Sequence, residues 1–184
     1  EIYAELTYGG KHVSPANIPE LKERTIVVNG FSKCYSMTGW RLGYAAAPAP
    51  VITQLTKLHQ YAIMCAPTAS QYAAIEAMKD GDKDIERMRT EYDRRRKLLN
   101  EGLKQLGISS FDAKGAFYLF PDISKFGLSS DEFCERLLFE EKVAVISGSA
   151  FGLGGEGFVR ICYAAGEAQI REALARIERF VRKL

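Results

Sequence analysis

Asn29-Gly30-Phe31-Ser32-Lys33-Cys34-Tyr35-Ser36-Met37-Thr38-Gly39-Trp40-Arg41-Leu42-Gly43-Tyr44 sets one lysine among apolar and small residues, with an arginine eight positions later. Immediately before it, Thr25-Ile26-Val27-Val28 is a short β-branched run closed by Asn-Gly, the pattern of a buried strand that ends in a loop. Lys33 therefore falls just past a strand end, where α/β proteins keep their sites. The run from Trp40 to Ala47 is expected to be a returning strand that brings Arg41 back beside Lys33. Pro48 and Pro50 end it.

A lysine forms an imine only as the free amine, and a reference pKa of about 10.4 leaves little of that form at neutral pH. Apolar surroundings and a neighbouring cation both push the value down, and this loop offers both. Arg41 suits another task, because a planar guanidinium pairs bidentately with phosphate or carboxylate. Ser32, Ser36, Thr38 and Gly39 offer further donors to the same anion. An aldehyde that also carries a phosphate satisfies both cations at once.

Ser32-Lys33 followed by Thr38-Gly39-Trp40-Arg41-Leu42-Gly43-Tyr44 resembles the Ser-Lys-x5-Gly-x-Arg-x-Gly signature of class I/II aminotransferases, the fold-type-I pyridoxal phosphate (PLP) enzymes of the aspartate aminotransferase kind. The resemblance implies that Lys33 holds the cofactor and moves the substrate Cα proton, that Arg41 holds the cofactor phosphate and that Ser32 assists it. Many members have a serine three residues before the lysine, and this chain has Gly30 there. Glu1-Ile2-Tyr3 resembles the family's Asp-Glu-x-Tyr, which assigns Tyr3 to the cofactor's 3′ oxygen. The aspartate of that motif would precede Glu1. The expected picture is the C-terminal half of a longer enzyme.

The totals agree with a soluble globular protein. At 184 residues the chain suffices for one good core or two small domains, and a net charge of +2 provides no large field for nucleic acid or an anionic membrane. Arg94-Arg95-Arg96-Lys97 lies among Glu86, Glu91, Asp93 and Glu101, which reads as a solvated helix face. Cys34, Cys65, Cys134 and Cys162 show no metal spacing, and Cys65 and Cys162 stand in apolar runs as reduced core cysteines do. His12 and His59 form neither a zinc nor a triad pattern, so no metal is expected. With no signal peptide and no spanning apolar stretch, a cytoplasmic protein is expected.

The expected fold is α/β: residues 1–80 as the end of the PLP-binding large domain, with a mainly parallel sheet, and residues 81–184 as a smaller α/β C-terminal domain. An extended segment is expected over Glu1 to Tyr8. A helix near Val51 carries Ile52, Leu55 and Leu58 at three-residue steps, and Thr68 after Pro67 suits an N-cap for a helix to about Lys79. The family resemblance also offers Thr68 a role near the partner subunit's phosphate site in a homodimer. Asp80-Gly81-Asp82 reads as a hinge. The linking helix is expected over 83–106, with Ile85, Met88, Tyr92, Leu99, Leu103 and Leu106 on one stripe and Gly107 as its stop. Strands are expected at 115–120, 143–146 and 157–163. Ser129-Ser130-Asp131-Glu132 has the form of a capping box that opens a helix to about Phe139, and a last helix is expected over 168–182.

Two motifs in this second part compete for a ligand. Gly152-Leu153-Gly154-Gly155-Glu156-Gly157 spells a dinucleotide fingerprint but is followed by a strand instead of a helix, so it reads as a glycine turn. Arg160 interrupts the apolar run Phe158-Val159-Arg160-Ile161-Cys162-Tyr163, where an unpaired buried charge costs several kcal/mol, of order ~3–5. An anion is required, either a structural Asp or Glu or, as the resemblance implies, the substrate α-carboxylate in a bidentate fork. Gly148-x-x-Phe151-Gly152 also resembles the family's Pro-Gly-x-x-Phe-Gly, with Ser147 in place of the proline.

The resemblance implies an aminotransferase that exchanges an amino group between an L-amino acid and a 2-oxo acid. Carbon–sulfur lyases share the lysine and arginine framework, and an aminotransferase-like sensor of a transcription regulator is a second alternative. Gln60 to Gln71 contains no arginine for a distal carboxylate, which disfavours one dicarboxylate mode of the family; acidic, aromatic and aliphatic substrates all stay open.

Overall fold

The structure, a computed structural model, describes residues 1–184 and divides into two compact units, Glu1–Arg89 and Thr90–Leu184. The fold is mixed α/β. No helix is long and apolar enough to cross a membrane.

In the first unit, β1 (Val27–Gly30) runs into a four-residue helix, α1 (Phe31–Cys34), and the chain returns through β2 (Gly43–Ala46). The pairing is antiparallel, with Val27 opposite Ala46 and Gly30 opposite Gly43. This corrects the expectation of a mainly parallel sheet, because β2 doubles directly back on β1. Gly43 is required there: a Cβ would stand 2.9 Å from the Asn29 carbonyl oxygen. The expected extended segment at Glu1 to Tyr8 is instead a set of turns, in which Ala4 N–H donates to Glu1 and Leu6 N–H to Tyr3, both at 2.9 Å. Those turns bury Leu6 completely.

Two further helices follow, α2 (Ala49–Ile63) and α3 (Thr68–Asp80). Thr68 is the first helical residue and not the cap. Pro67, with extended backbone, holds the cap position, and no side chain closes this end. Phe31, Met37 and Ala74 form a small core, with Tyr35, Leu42, Ala73 and Ala77 packed on it. The stripe of α2 predicted from Ile52, Leu55 and Leu58 meets no such core, and α2 buries no residue.

The long helix α4 (Asp82–Gln105) begins in the first unit and continues into the second. It ends in a Schellman motif: Gly107 has φ +70°, Ile108 N–H donates to Leu103 and Gly107 N–H to Lys104, each at 2.9 Å. Arg96 departs from the expected solvated face. It is buried, with Asp93 and Asp112 as partners. Arg94 and Lys97 remain exposed.

The second unit holds a three-stranded antiparallel sheet in the order β3 (Tyr118–Leu119), β5 (Val159–Cys162), β4 (Ile146–Ser147). β3 is shorter than expected because Ala116, at φ +59°, breaks the extended run before it. Helix α5 (Ser130–Glu141) is capped as predicted, with Ser129 Oγ accepting the Glu132 N–H at 3.2 Å. Helix α6 (Glu167–Val181) buries Ile170, Ile177 and Phe180, and Phe180 meets Phe133 of α5 edge to face at 5.2 Å between centroids. Cys65 and Cys162 are exposed, not core residues as expected. Cys162 takes an exposed position of β5, on the side away from Val159 and Tyr163.

Candidate active site

The register of β1 and β2 builds the first site. Gly30 and Gly43 are paired, Lys33 lies three residues beyond the first and Arg41 two residues before the second, so both cations belong to the same end of the hairpin. Phe31 N–H donates to Leu42 O at 3.2 Å and Met37 N–H to Phe31 O at 3.3 Å, which fold the connection onto α1. Thr38 Oγ1 donates to Ser32 O at 3.0 Å. Ser32 and Lys33 are half-buried.

Arg41 is not on the returning strand, as its sequence context suggested. It precedes β2 in the left-handed region, φ 53° and ψ 47°, and Ser36 in the same connection has φ 54°. Non-glycine residues seldom take that conformation, and when they do the surroundings must impose it. Here the surroundings are identifiable. Arg41 Nη1 donates to Thr38 O at 2.9 Å, and the buried Ser70 Oγ of α3 donates to Trp40 O at 2.7 Å. Sequence reading missed Ser70, since a serine in the first turn of a helix carries no signal of a distant carbonyl. No ion pair engages Arg41, whose side chain is exposed, and residues 29–44 contain no carboxylate. Burial pushes the Cys34 thiol up, so the cysteine beside Lys33 stays protonated at neutral pH.

The second site is in the other unit. Arg160 of β5 lies opposite Ile146 of β4. Its guanidinium carbon is 4.4 Å from the centroid of the Tyr118 ring and 4.6 Å from that of Phe151. Its Nε is buried without a hydrogen-bond partner, and no Asp or Glu pairs with it. The structural alternative, an internal carboxylate, is therefore not realised. The glycine run is a turn: Gly155 abuts Gly148, where a Cβ would come within 2.0 Å of the Gly155 carbonyl oxygen, and β5 follows. Tyr3 is half-buried within the N-terminal turns. No three His, Cys, Asp or Glu side chains gather to hold a metal ion.

The profile of the family described as aminotransferase class I and II matches residues 1–177. The chain belongs to this family. The aspartate aminotransferase of Pyrococcus abyssi (strain GE5 / Orsay) is 48% identical over 186 residues, which cover 100% of this chain and 48% of that protein. Aromatic-amino-acid aminotransferase 2 of Thermococcus litoralis is 45% identical over 186 residues, with coverage of 100% and 48%. The crystal structure of an aromatic aminotransferase from Pyrococcus horikoshii OT3 superposes with a TM-score of 0.96 at 47% identity, over 100% of this chain and 50% of that one. The chain spans about half the length of the relatives it matches. Class I and II aminotransferases use PLP, and the donor set between residues 29 and 44 suits it: one amine for an aldehyde, one guanidinium and several hydroxyls for a phosphate, and no competing carboxylate.

Proposed function

We propose that these 184 residues supply the cofactor lysine and the carboxylate anchor of a PLP-dependent aminotransferase whose polypeptide has its relatives' full length. The observation that carries the reading is Arg41, held in a left-handed conformation by Thr38 and Ser70 contacts and left without an acidic partner beside the Lys33 helix.

In this reading Lys33 Nζ would hold the cofactor carbonyl, Arg41 and Ser32 would hold its phosphate, and Tyr3 would donate to its 3′ oxygen. PLP, when bound, supplies the electron sink that makes loss of the substrate Cα proton accessible. The role assigned to Arg160 is to bind the substrate carboxylate, and that assigned to Lys33 Nζ, once the substrate amine has displaced it, is to take the Cα proton and give it up again as general base and acid.

Residues 1–80 then complete the large domain, where β1 and β2 join the parallel strands of the other half of the enzyme, and residues 81–184 form the small domain with 83–106 as its linking helix. The exposed apolar side chains of α2, among them Leu58, Tyr61 and Ile63, are covered in a homodimer of the complete enzyme. The amino donors are those of the relatives, an acidic or an aromatic L-amino acid, with a 2-oxo acid as acceptor.

The test is borohydride reduction of the full-length polypeptide with PLP, followed by peptide mapping. Label on Lys33 that Lys33→Ala abolishes is expected. Label on another lysine, or scattered over several, overturns the assignment.

A further inference from the structure

Arg160 is a cation in a half-buried strand with no anion of its own, a situation that ordinarily neutralises or displaces a side chain. A guanidinium keeps its charge all the same. What it has instead are two rings, Tyr118 at 4.4 Å and Phe151 at 4.6 Å from the guanidinium carbon. Both rings are themselves anchored. Tyr118 packs on Phe117 with centroids 4.8 Å apart, and Phe117 on Tyr92 at 5.6 Å. Phe151 meets the edge of Phe120 at 5.9 Å, and Phe120 stacks on Phe158 at 5.4 Å with only 12° between planes. Phe151 ends the short turn that starts at Gly148, and Gly148 is locked against Gly155 at a distance no side chain permits.

We infer that Tyr118 and Phe151 are positioning residues for carboxylate recognition: an aromatic clamp that holds the Arg160 guanidinium by cation–π contact and leaves its hydrogen-bonding edge for a planar bidentate ligand. Cation–π attraction is strongest where the cation is desolvated, as the buried Nε indicates here. It orients the fork without occupying any of its N–H donors. A carboxylate partner in the protein would orient the fork too, but would fill it. The inference rests on the reading of Arg160 as the substrate-carboxylate anchor and names the residues that set the geometry of that anchor.

Steady-state kinetics of the full-length holoenzyme test it, with L-aspartate and L-phenylalanine as amino donors and 2-oxoglutarate as acceptor. Phe151→Leu and Tyr118→Leu keep apolar bulk and remove the ring. Each is expected to raise KM for the substrate turned over by about tenfold with kcat nearly unchanged. Phe151→Tyr and Tyr118→Phe are expected to restore KM, and the absorbance of the bound cofactor stays that of the parent enzyme in all four. Arg160→Lys, which keeps charge and loses the fork, raises KM further. If Arg160→Lys leaves KM unchanged, the carboxylate reading itself fails. If Arg160→Lys raises KM while both leucine variants leave it unchanged, the anchor stands and the clamp is overturned. A ring-for-ring replacement that is as impaired as its leucine counterpart overturns the clamp as well, because the effect is then one of shape. The two positions lie in separate segments, so a folding failure at one leaves the other to decide.

Discussion

Arg41 illustrates how a single backbone conformation can oppose stability and function. A left-handed L-residue is disfavoured, and glycine is not. Arg41→Gly is therefore expected to leave the thermal midpoint unchanged or raise it, by no more than about 1 kcal/mol once the greater freedom of glycine in the unfolded chain is subtracted. The same change removes the guanidinium and is expected to weaken PLP binding by about tenfold to a hundredfold, the range for a lost charge-assisted hydrogen bond. Melting curves of the PLP-free full-length protein and a separate PLP titration check the two halves separately. A fall in the melting temperature that matches the loss of affinity would sink the idea. All three candidate cations were legible in the sequence, Lys33 and Arg41 from the stretch that holds them and Arg160 from the apolar run around it. The conformation of Arg41 was not. It depends on a hydroxyl in α3, at Ser70, and on the Thr38 carbonyl, and neither leaves a periodic trace. Tyr118 was equally silent, since an aromatic in a strand most often serves the core, and Phe151 stood out only as a motif residue with no role attached to it.

Helices were read closely and strands less so, for a physical reason. The apolar period of α4 and α6 is set within each helix and survives in the sequence, as do the Ser129 cap and the Gly107 stop. A strand's length is decided by its neighbour: β3 is cut short at a left-handed Ala116, and β4 begins three residues later than the β-branched run suggests. Between α5 and α6 the contact is ionic as well as apolar. Glu141 is 8% exposed and accepts from Lys183 Nζ at 2.7 Å and Arg179 Nε at 3.0 Å. The Lys183 hydrogen bond chiefly, opposed by burial and supported by Arg179, holds its carboxyl below the usual carboxylate range. A depressed carboxylate contributes stability above its unfolded pKa, about 4.3, and that contribution disappears as the pH falls through the lower folded value. Glu141→Gln is thus expected to melt earlier than the parent at pH 7, with the gap closing below about pH 4. A gap of equal size at both pH values in urea or thermal melts would show that the charge is not what matters.

At the scale of the molecule the proposed cofactor contacts all fall in residues 1–89 and the proposed carboxylate anchor in residues 90–184. The chain spans about half the length of its relatives. Along α2, Leu58 is 70% exposed and Tyr61 95% exposed. Such an apolar surface is unusual for a self-sufficient protein. The 184 residues purified alone are therefore expected to show no transamination in an assay of oxo-acid formation, and measurable turnover would refute the half-site reading. The ion pairs along α4 lead elsewhere. Asp84 with Arg87, Glu86 with Arg89, Glu91 with Arg94 and Arg95, and Asp93 with Arg96 and Lys97 all join residues three or four apart. None of them waits for a long loop to close, whereas β3 and β5 pair Tyr118 with Cys162 across nearly half of the second unit. These ion pairs need nothing that is synthesised after α4, whereas the sheet of the second unit needs Val159–Cys162, near the end of the chain, before its first ladder can form.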